Sequence, residues 1–176
     1  MRTLVITFSR RYCAGTSIIV SDLVRLIRSN TGKTCTIYDK SYFQGKEEIT
    51  NFDQEQQEIK DLLKKSNERD GNEDLIFIGR ASAFALKDYE PALHIYCYAS
   101  KEDRIKRAME IHNLSRQEAF LEVNQRDQER EDYHFKHTDR IWSEVDHYQI
   151  LLDTSRHGAQ NCGEILYNYL TMHELI

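Results

Sequence analysis

Residues Thr3 to Ile27 read TLVITFSRRYCAGTSIIVSDLVRLI, and the pattern changes twice within them. Leu4, Val5, Ile6 and Phe8 make the short apolar run of a buried central strand, and Ser9 to Thr16 interrupt it with polar and small residues. From Ser17 the apolar positions Ile18, Ile19, Leu23, Leu26 and Ile27 recur at helical spacing. The stretch therefore predicts a strand, a tight loop and a helix. In that arrangement the loop N–H groups and the helix N-terminus converge on one point, where an anion is stabilised.

Further apolar runs extend the pattern. Cys35 to Tyr38, Leu75 to Ile78, Ala92 to Tyr98 and Tyr148 to Leu152 read as four more strands, the last ending in Asp153-Thr154-Ser155. Helical spacing fills the gaps between them. Asn51 to Arg69 carries Ile59, Leu62 and Leu63 on one face and ends in Lys64-Lys65, which suits the helix dipole. A short helix is expected over Ala81 to Leu86, and Ser100 with Asp103 opens another that runs to about His112. Ser115 with Glu118 forms a capping box for a long helix to about Lys136. A final helix begins near Gln160. The segment from Asp39 to Thr50 reads as polar and irregular, and Asp70-Gly71-Asn72 as a turn. Strands that are continuously apolar rather than alternating, separated by helices, imply a five-stranded parallel sheet covered on both faces, a three-layer α/β sandwich.

Length and composition bound the rest. The 176 residues suit one domain with a real core. A net charge of −5 argues against a dedicated nucleic-acid surface, and no apolar run approaches the ~20 residues of a membrane span. Cys13, Cys35, Cys97 and Cys162 are dispersed, which fits reduced thiols in a cytoplasmic protein better than a disulfide framework or a zinc site. The histidines show no metal spacing, although His134 and His137 are three residues apart. A homo-oligomer is left open.

In parallel sheets ligands bind beyond the carboxyl ends of the strands. Here those ends carry Ser9 to Ser17, Tyr38-Asp39-Lys40, Gly79-Arg80, Ala99-Ser100 and Asp153-Thr154-Ser155, a rim of hydroxyls, small residues and cations that suits an anion. Laid on the phosphate-loop pattern GxxxxGK[ST], Arg10 to Ser17 match at Gly15 and Ser17, while Arg10 stands at the first glycine and Thr16 at the lysine. By itself that stretch reads as an ordinary turn rather than a phosphate loop.

The wider sequence adds a resemblance. Ser9-Arg10-Arg11-Tyr12 before a small-residue loop resembles the opening of the cytidylate kinase-like family, in which Ser-Arg-Glu-Tyr precedes a Gly-Ser-Gly-Gly-Arg type loop. The likeness continues in Tyr38-Asp39-Lys40 and Ile78-Gly79-Arg80-Ala81. It is strongest from Asp88-Tyr89 through Leu93-His94-Ile95, Lys101 to Arg107 and Leu114-Ser115 to Asp127-Gln128-Glu129-Arg130, with Tyr133, Thr138, Trp142 and Tyr148 to Ser155 at the family's spacing.

The resemblance implies a P-loop fold of the nucleoside monophosphate kinase type over residues 1–176. It would have a shortened acceptor-binding region near 39–72 and a helical lid near 113–142. It also implies transfer of the γ-phosphoryl group of ATP, with Mg²⁺, to a nucleoside monophosphate, CMP or dCMP in the best-known branch. Such catalysis is positioning plus neutralisation of phosphoryl charge. On that basis Ser9, Arg10, Cys13, Ala14, Gly15, Thr16 and Ser17 would line the donor, with Ser17 as the metal-side hydroxyl. Asp39, Arg80, Arg104 and Arg107 would serve the acceptor, and Arg126, Asp127 and Arg130 would act from the lid. Each has a plainer alternative. Arg80 would be a surface arginine paired with Asp88 or Glu90. Arg104 and Arg107 would pair with Asp103 and Glu110, and Arg126 and Arg130 would belong to a solvated charged helix. Asp39 would be a turn or cap, and Trp142 core packing.

The chain also departs from its relatives. It has no cation at Thr16 or Ser17, Cys13 and Ala14 are less permissive than glycine for a wrapped backbone, and no acid ends the third strand. A lost phosphate-bridging lysine typically removes several kcal/mol of transition-state stabilisation, with Arg10 and Arg11 the nearest substitutes. The departure supports a second reading, a non-catalytic nucleotide- or phosphate-binding regulatory or scaffold protein.

Overall fold

The computed structural model describes residues 3–68 and 73–176. The expected turn at 70–72 and the last residue of the helix expected over 51–69 lie outside them. Five strands form one sheet: β1 (Val5–Arg10), β2 (Thr34–Tyr38), β3 (Glu73–Ile78), β4 (Ala92–Tyr98) and β5 (Ile150–Asp153). Their order is β2-β3-β1-β4-β5 and every pairing is parallel. β1 is thus central. It is buried on both faces, with Val5 and Phe8 fully enclosed, which is why its sequence does not alternate. The strand also continues past the apolar run: Ser9 and Arg10 pair with Tyr96 and Cys97, so the loop begins two residues later than the change of composition implies.

Helices cover both faces. On one, α1 (Thr16–Thr31) and α8 (Ala159–Met172) bury Ile19, Leu23, Ile27, Leu166 and Leu170 against Ile6, Phe8 and Ile95. Their close approach requires Gly163, where a Cβ would stand 2.8 Å from the Asp22 side chain and 3.2 Å from the Ile19 carbonyl oxygen. On the other face, α2 (Lys40–Gln44) and α3 (Phe52–Asn67) bury Phe43, Ile59, Leu62 and Leu63 on Val5, Leu75 and Phe77. The helix α2 replaces the irregular segment expected after Asp39. Asp39 starts it by accepting from the Ser41 and Tyr42 N–H groups, and Phe43 anchors it in the core. The remaining elements are α4 (Ser82–Ala85), α5 (Lys101–His112), α6 (Arg116–Thr138) and α7 (Thr154–His157). No helix among the described residues is long and apolar enough to cross a membrane.

The longest helix, α6, begins at the Ser115–Glu118 capping box, both halves of which form. Its buried residues are Ala119, Val123 and Asp127, a stripe at four-residue spacing whose third member is a carboxylate. That stripe packs on Ile105 and Ala108 of α5 and carries α6 across the ends of β1 and β3.

Candidate functional site

Beneath α6 lies a cleft of about 470 Å³, bounded by Ser9 and Arg10 at the end of β1, Gly79 and Arg80 after β3, Lys40 at the start of α2, and Arg126, Arg130 and Tyr133 from α6. Arg10 sits in it, with Asp39 as a distant counter-charge. It makes no ion pair with any described residue, and its Nη1 lies 3.0 Å from where a Cβ on Gly79 would stand. Burial, and then the nearby Arg130, pull its pKa down to about 10, against smaller opposing effects of Cys97 and Asp39. A half-buried guanidinium that feels Asp39 only weakly and makes no ion pair is relieved by an anion. Arg130 adds to the same field: its Nη1 donates to the Arg10 carbonyl at 3.1 Å, its guanidinium carbon stands 5.4 Å from the Tyr12 ring, and burial lowers its pKa too.

Arg11, the adjacent cation, turns elsewhere. It lies 3.7 Å from Asp127 and 5.3 Å from the centre of the Trp142 ring. Of the two arginines, Arg10 alone lines the cleft.

Arg80 enters through a left-handed turn. Gly79, Arg80 and Ala81 have φ of 73°, 58° and 52°, and the two non-glycine residues each cost about 1–3 kcal/mol to hold there. The Arg80 guanidinium pairs with Glu55 of α3, rather than with Asp88 or Glu90, and its carbonyl accepts from Gln56 Nε2 at 3.0 Å. Its Nε has no hydrogen-bond acceptor. Arg126 is an exposed member of the rim, with Glu129 at 3.1 Å and Glu122 at 3.9 Å. Asp39 is a helix cap; the Ser41 hydroxyl hydrogen bond, foremost, holds its pKa low.

The loop itself is closed by side chains. Its Tyr12, Cys13 and Ala14 carbonyls accept from Arg104, Arg107 and the Thr154 hydroxyl, and the Arg10 carbonyl accepts from Arg130. The Arg11, Tyr12 and Ala14 N–H groups donate to the Cys97 carbonyl, the Asp127 carboxylate and the Arg11 carbonyl. Asp127 also receives Arg104 at 2.7 Å, and only 6% of Arg104 is exposed. Arg104 and Asp127 therefore join loop, α5 and α6 in one buried bridge, not at the cleft wall. Cys13 and Gly15 take positive φ, 59° and 82°. Ala14 is buried, and Thr16 is 3% exposed with its hydroxyl unpartnered. Ser17 is exposed on the first turn of α1. The Arg107 guanidinium lies 3.2 Å from the Cβ position of Gly15, so a cation does stand at the loop, supplied by α5. Arg107 also borders a shallow hollow of about 270 Å³ with Lys106, Thr154 and Ser155.

Among the described residues no group of three or more His, Cys, Asp or Glu side chains could hold a metal ion. What the loop offers Mg²⁺ is the Ser17 hydroxyl, with bound phosphates as the other ligands, a mode that suits this ion. A second cavity of about 350 Å³ shares Ser9, His134 and Trp142 with the cleft. His134 stacks on Trp142 with ring centres 5.8 Å apart, and burial pushes its pKa down to about 4, so it is neutral at physiological pH.

Glu55, Gln56 and the inward turn of Arg10 were not identified from the sequence. For Asp127, the stripe Ala119, Val123, Asp127 was the available signal of burial.

A family model described as the cytidylate kinase-like family matches residues 30–156. The fold is similar to that of an uncharacterized protein from Eubacterium ventriosum, at 18% identity with a TM-score of 0.77, covering 96% of this chain and 99% of the other. It is also similar to APE1195, at 16% identity and a TM-score of 0.62, covering 97% and 96%. At these identities the likeness concerns the fold. No curated protein matches the chain.

Proposed function

The chain belongs to the cytidylate kinase-like family, and from that premise we propose that it transfers the γ-phosphoryl group of ATP to a nucleoside monophosphate, with CMP or dCMP as the favoured acceptor. The observation that carries this is Arg10: a half-buried guanidinium with no ion pair among the described residues, facing a cleft that Lys40, Arg80, Arg126 and Arg130 also line. Five cations around one concave site, with Glu129 beside them, suit a phosphate-bearing ligand. Arg80 and Lys40 would take the acceptor phosphate. Arg10 and Arg130, at the border of loop and cleft, would meet the transferring group, supplying the charge that Thr16 lacks. The donor would lie along Arg10 to Ser17, with the hollow beside Arg107 and Ser155 receiving its far end. Mg²⁺ carried by ATP would supply the remaining charge neutralisation, beside Ser17. Helix α6 would be the lid, with Arg126 and Arg130 one turn apart on it.

The closed loop favours a second reading, a protein of the same fold that binds nucleotide without turnover. A coupled assay of ADP release with CMP, dCMP, UMP and AMP, beside thermal shift with ATP and ADP, separates the two. Turnover that falls about a hundredfold in Arg80→Ala supports the kinase. Stabilisation by nucleotide without turnover supports the binding protein, and no response to any nucleotide contradicts both.

A further inference from the structure

Arg80 is held from three sides by groups that the proposed chemistry does not itself require. Glu55, only 7% exposed, takes the guanidinium on one carboxylate oxygen and accepts the Tyr133 hydroxyl on the other at 3.1 Å. The next residue, Gln56, holds the Arg80 carbonyl. Tyr133 lies on α6, three residues after Arg130, and its ring centre is 6.0 Å from the Arg80 guanidinium carbon. Phe52 of α3 packs edge-on against Tyr133 and stacks on His137, with ring centres 5.8 and 4.6 Å apart, so α6 and α3 meet along this edge of the cleft.

We infer that Glu55 is a positioning residue for the acceptor-phosphate arginine and that, through Tyr133, it couples Arg80 to the seating of α6. This rests on the phosphoryl-transfer reading. The physical case is geometric. Arg80 sits on a strained left-handed turn, and a long guanidinium side chain there has many rotamers. A buried carboxylate fixes one of them by taking Nη2, leaving the Nη1 hydrogens for an incoming phosphate. Because Arg130 and Tyr133 share one helix face, movement of α6 away from the cleft would break the Arg130–Arg10 carbonyl contact and the Tyr133–Glu55 contact together. Arg80 then keeps its carboxylate but loses the hydroxyl that orients it. The acceptor-binding cation is thus organised fully only when α6 is down, which favours capture of the acceptor in the closed cleft.

Steady-state kinetics and CMP titration by calorimetry, on full-length wild type, Glu55→Ala, Glu55→Gln and Tyr133→Phe, test this. The expected result is an acceptor KM and Kd raised about tenfold or more in Glu55→Ala, with the ATP KM within twofold. Glu55→Gln, which keeps an oxygen for Arg80, should restore the acceptor values to within about threefold of wild type, a rescue that a generally loosened fold would not show. Tyr133→Phe should raise the acceptor KM about threefold. Unchanged or tighter acceptor binding in Glu55→Ala would overturn the inference alone, since it would make Glu55 a competitor of the phosphate. Wild type that binds no nucleoside monophosphate would overturn the functional reading and this inference with it.

Discussion

The loop between β1 and α1 and the cleft beside it share Arg10, yet they offer an anion different groups, backbone N–H donors in one and cations in the other. In the loop, four of the five carbonyls from Arg10 to Ala14 are held by the side chains of Arg130, Arg104, Arg107 and Thr154, and three N–H groups already donate to protein acceptors. In the cleft, Arg10 makes no ion pair with a described residue and Arg80 Nε has no acceptor. The loop is a structural joint between the sheet and helices α5 and α6. The Cys13, Gly15, Thr16 and Ser17 N–H groups donate to no described residue and stay open to an anion, and the cleft adds cations beside them.

The largest expected effect is on the joint. Arg104→Ala leaves the Asp127 carboxylate buried without its closest cation, and should lower stability by about 3–5 kcal/mol, measured by urea denaturation. If the loop were open and the pair exposed, the loss would be near zero.

Next comes acid sensitivity of the shared wall. His134 has a folded pKa of about 4 against an ordinary 6.5, because burial, then Arg130 and His137, disfavour its charge. The unfolded chain therefore binds more protons between those values. Stability from this residue is full above pH 6.5 and falls as pH drops toward 4, by about 2 kcal/mol after allowance for partial exposure. His94 is shifted the same way, chiefly by burial. Melting temperatures from pH 7.5 to 4.5 should fall, and less steeply in His134→Phe; an equal slope in both would remove His134 from the explanation.

Smaller effects sharpen the contrast at the rim. Arg126 is exposed and already paired, so Arg126→Ala should change the acceptor KM by less than about threefold, since such surface pairs contribute little. Thr16→Lys, which restores the missing phosphate-loop lysine, should leave turnover unimproved, because position 16 is buried against the sheet. A gain of tenfold would show that the loop, not the cleft, limits activity.

What could be read from the sequence follows from how local each feature is. The five apolar runs, the Ser115–Glu118 box and the strand Ala92 to Tyr98 are set by neighbours in the chain, and all appear in the fold. The helix at Lys40 to Gln44 was hidden because one buried residue, Phe43, holds it. The same limit applies at the site. Glu55 belongs to a helix face that looks solvated, and only packing of α3 against β3 and α6 brings it to Arg80. Arg10 and Arg11 are equivalent in sequence, and their separation comes from Asp127, Glu131 and Trp142 standing on one side and Gly79 on the other.

The most direct test is calorimetric titration of CMP into wild type and Arg10→Met. Removing a half-buried cation that makes no ion pair should leave the melting temperature unchanged or higher, while CMP affinity in the presence of a non-hydrolysable ATP analogue falls at least tenfold. Equal CMP affinity in the two proteins would contradict the claim that the cleft is organised around Arg10 as an anion site.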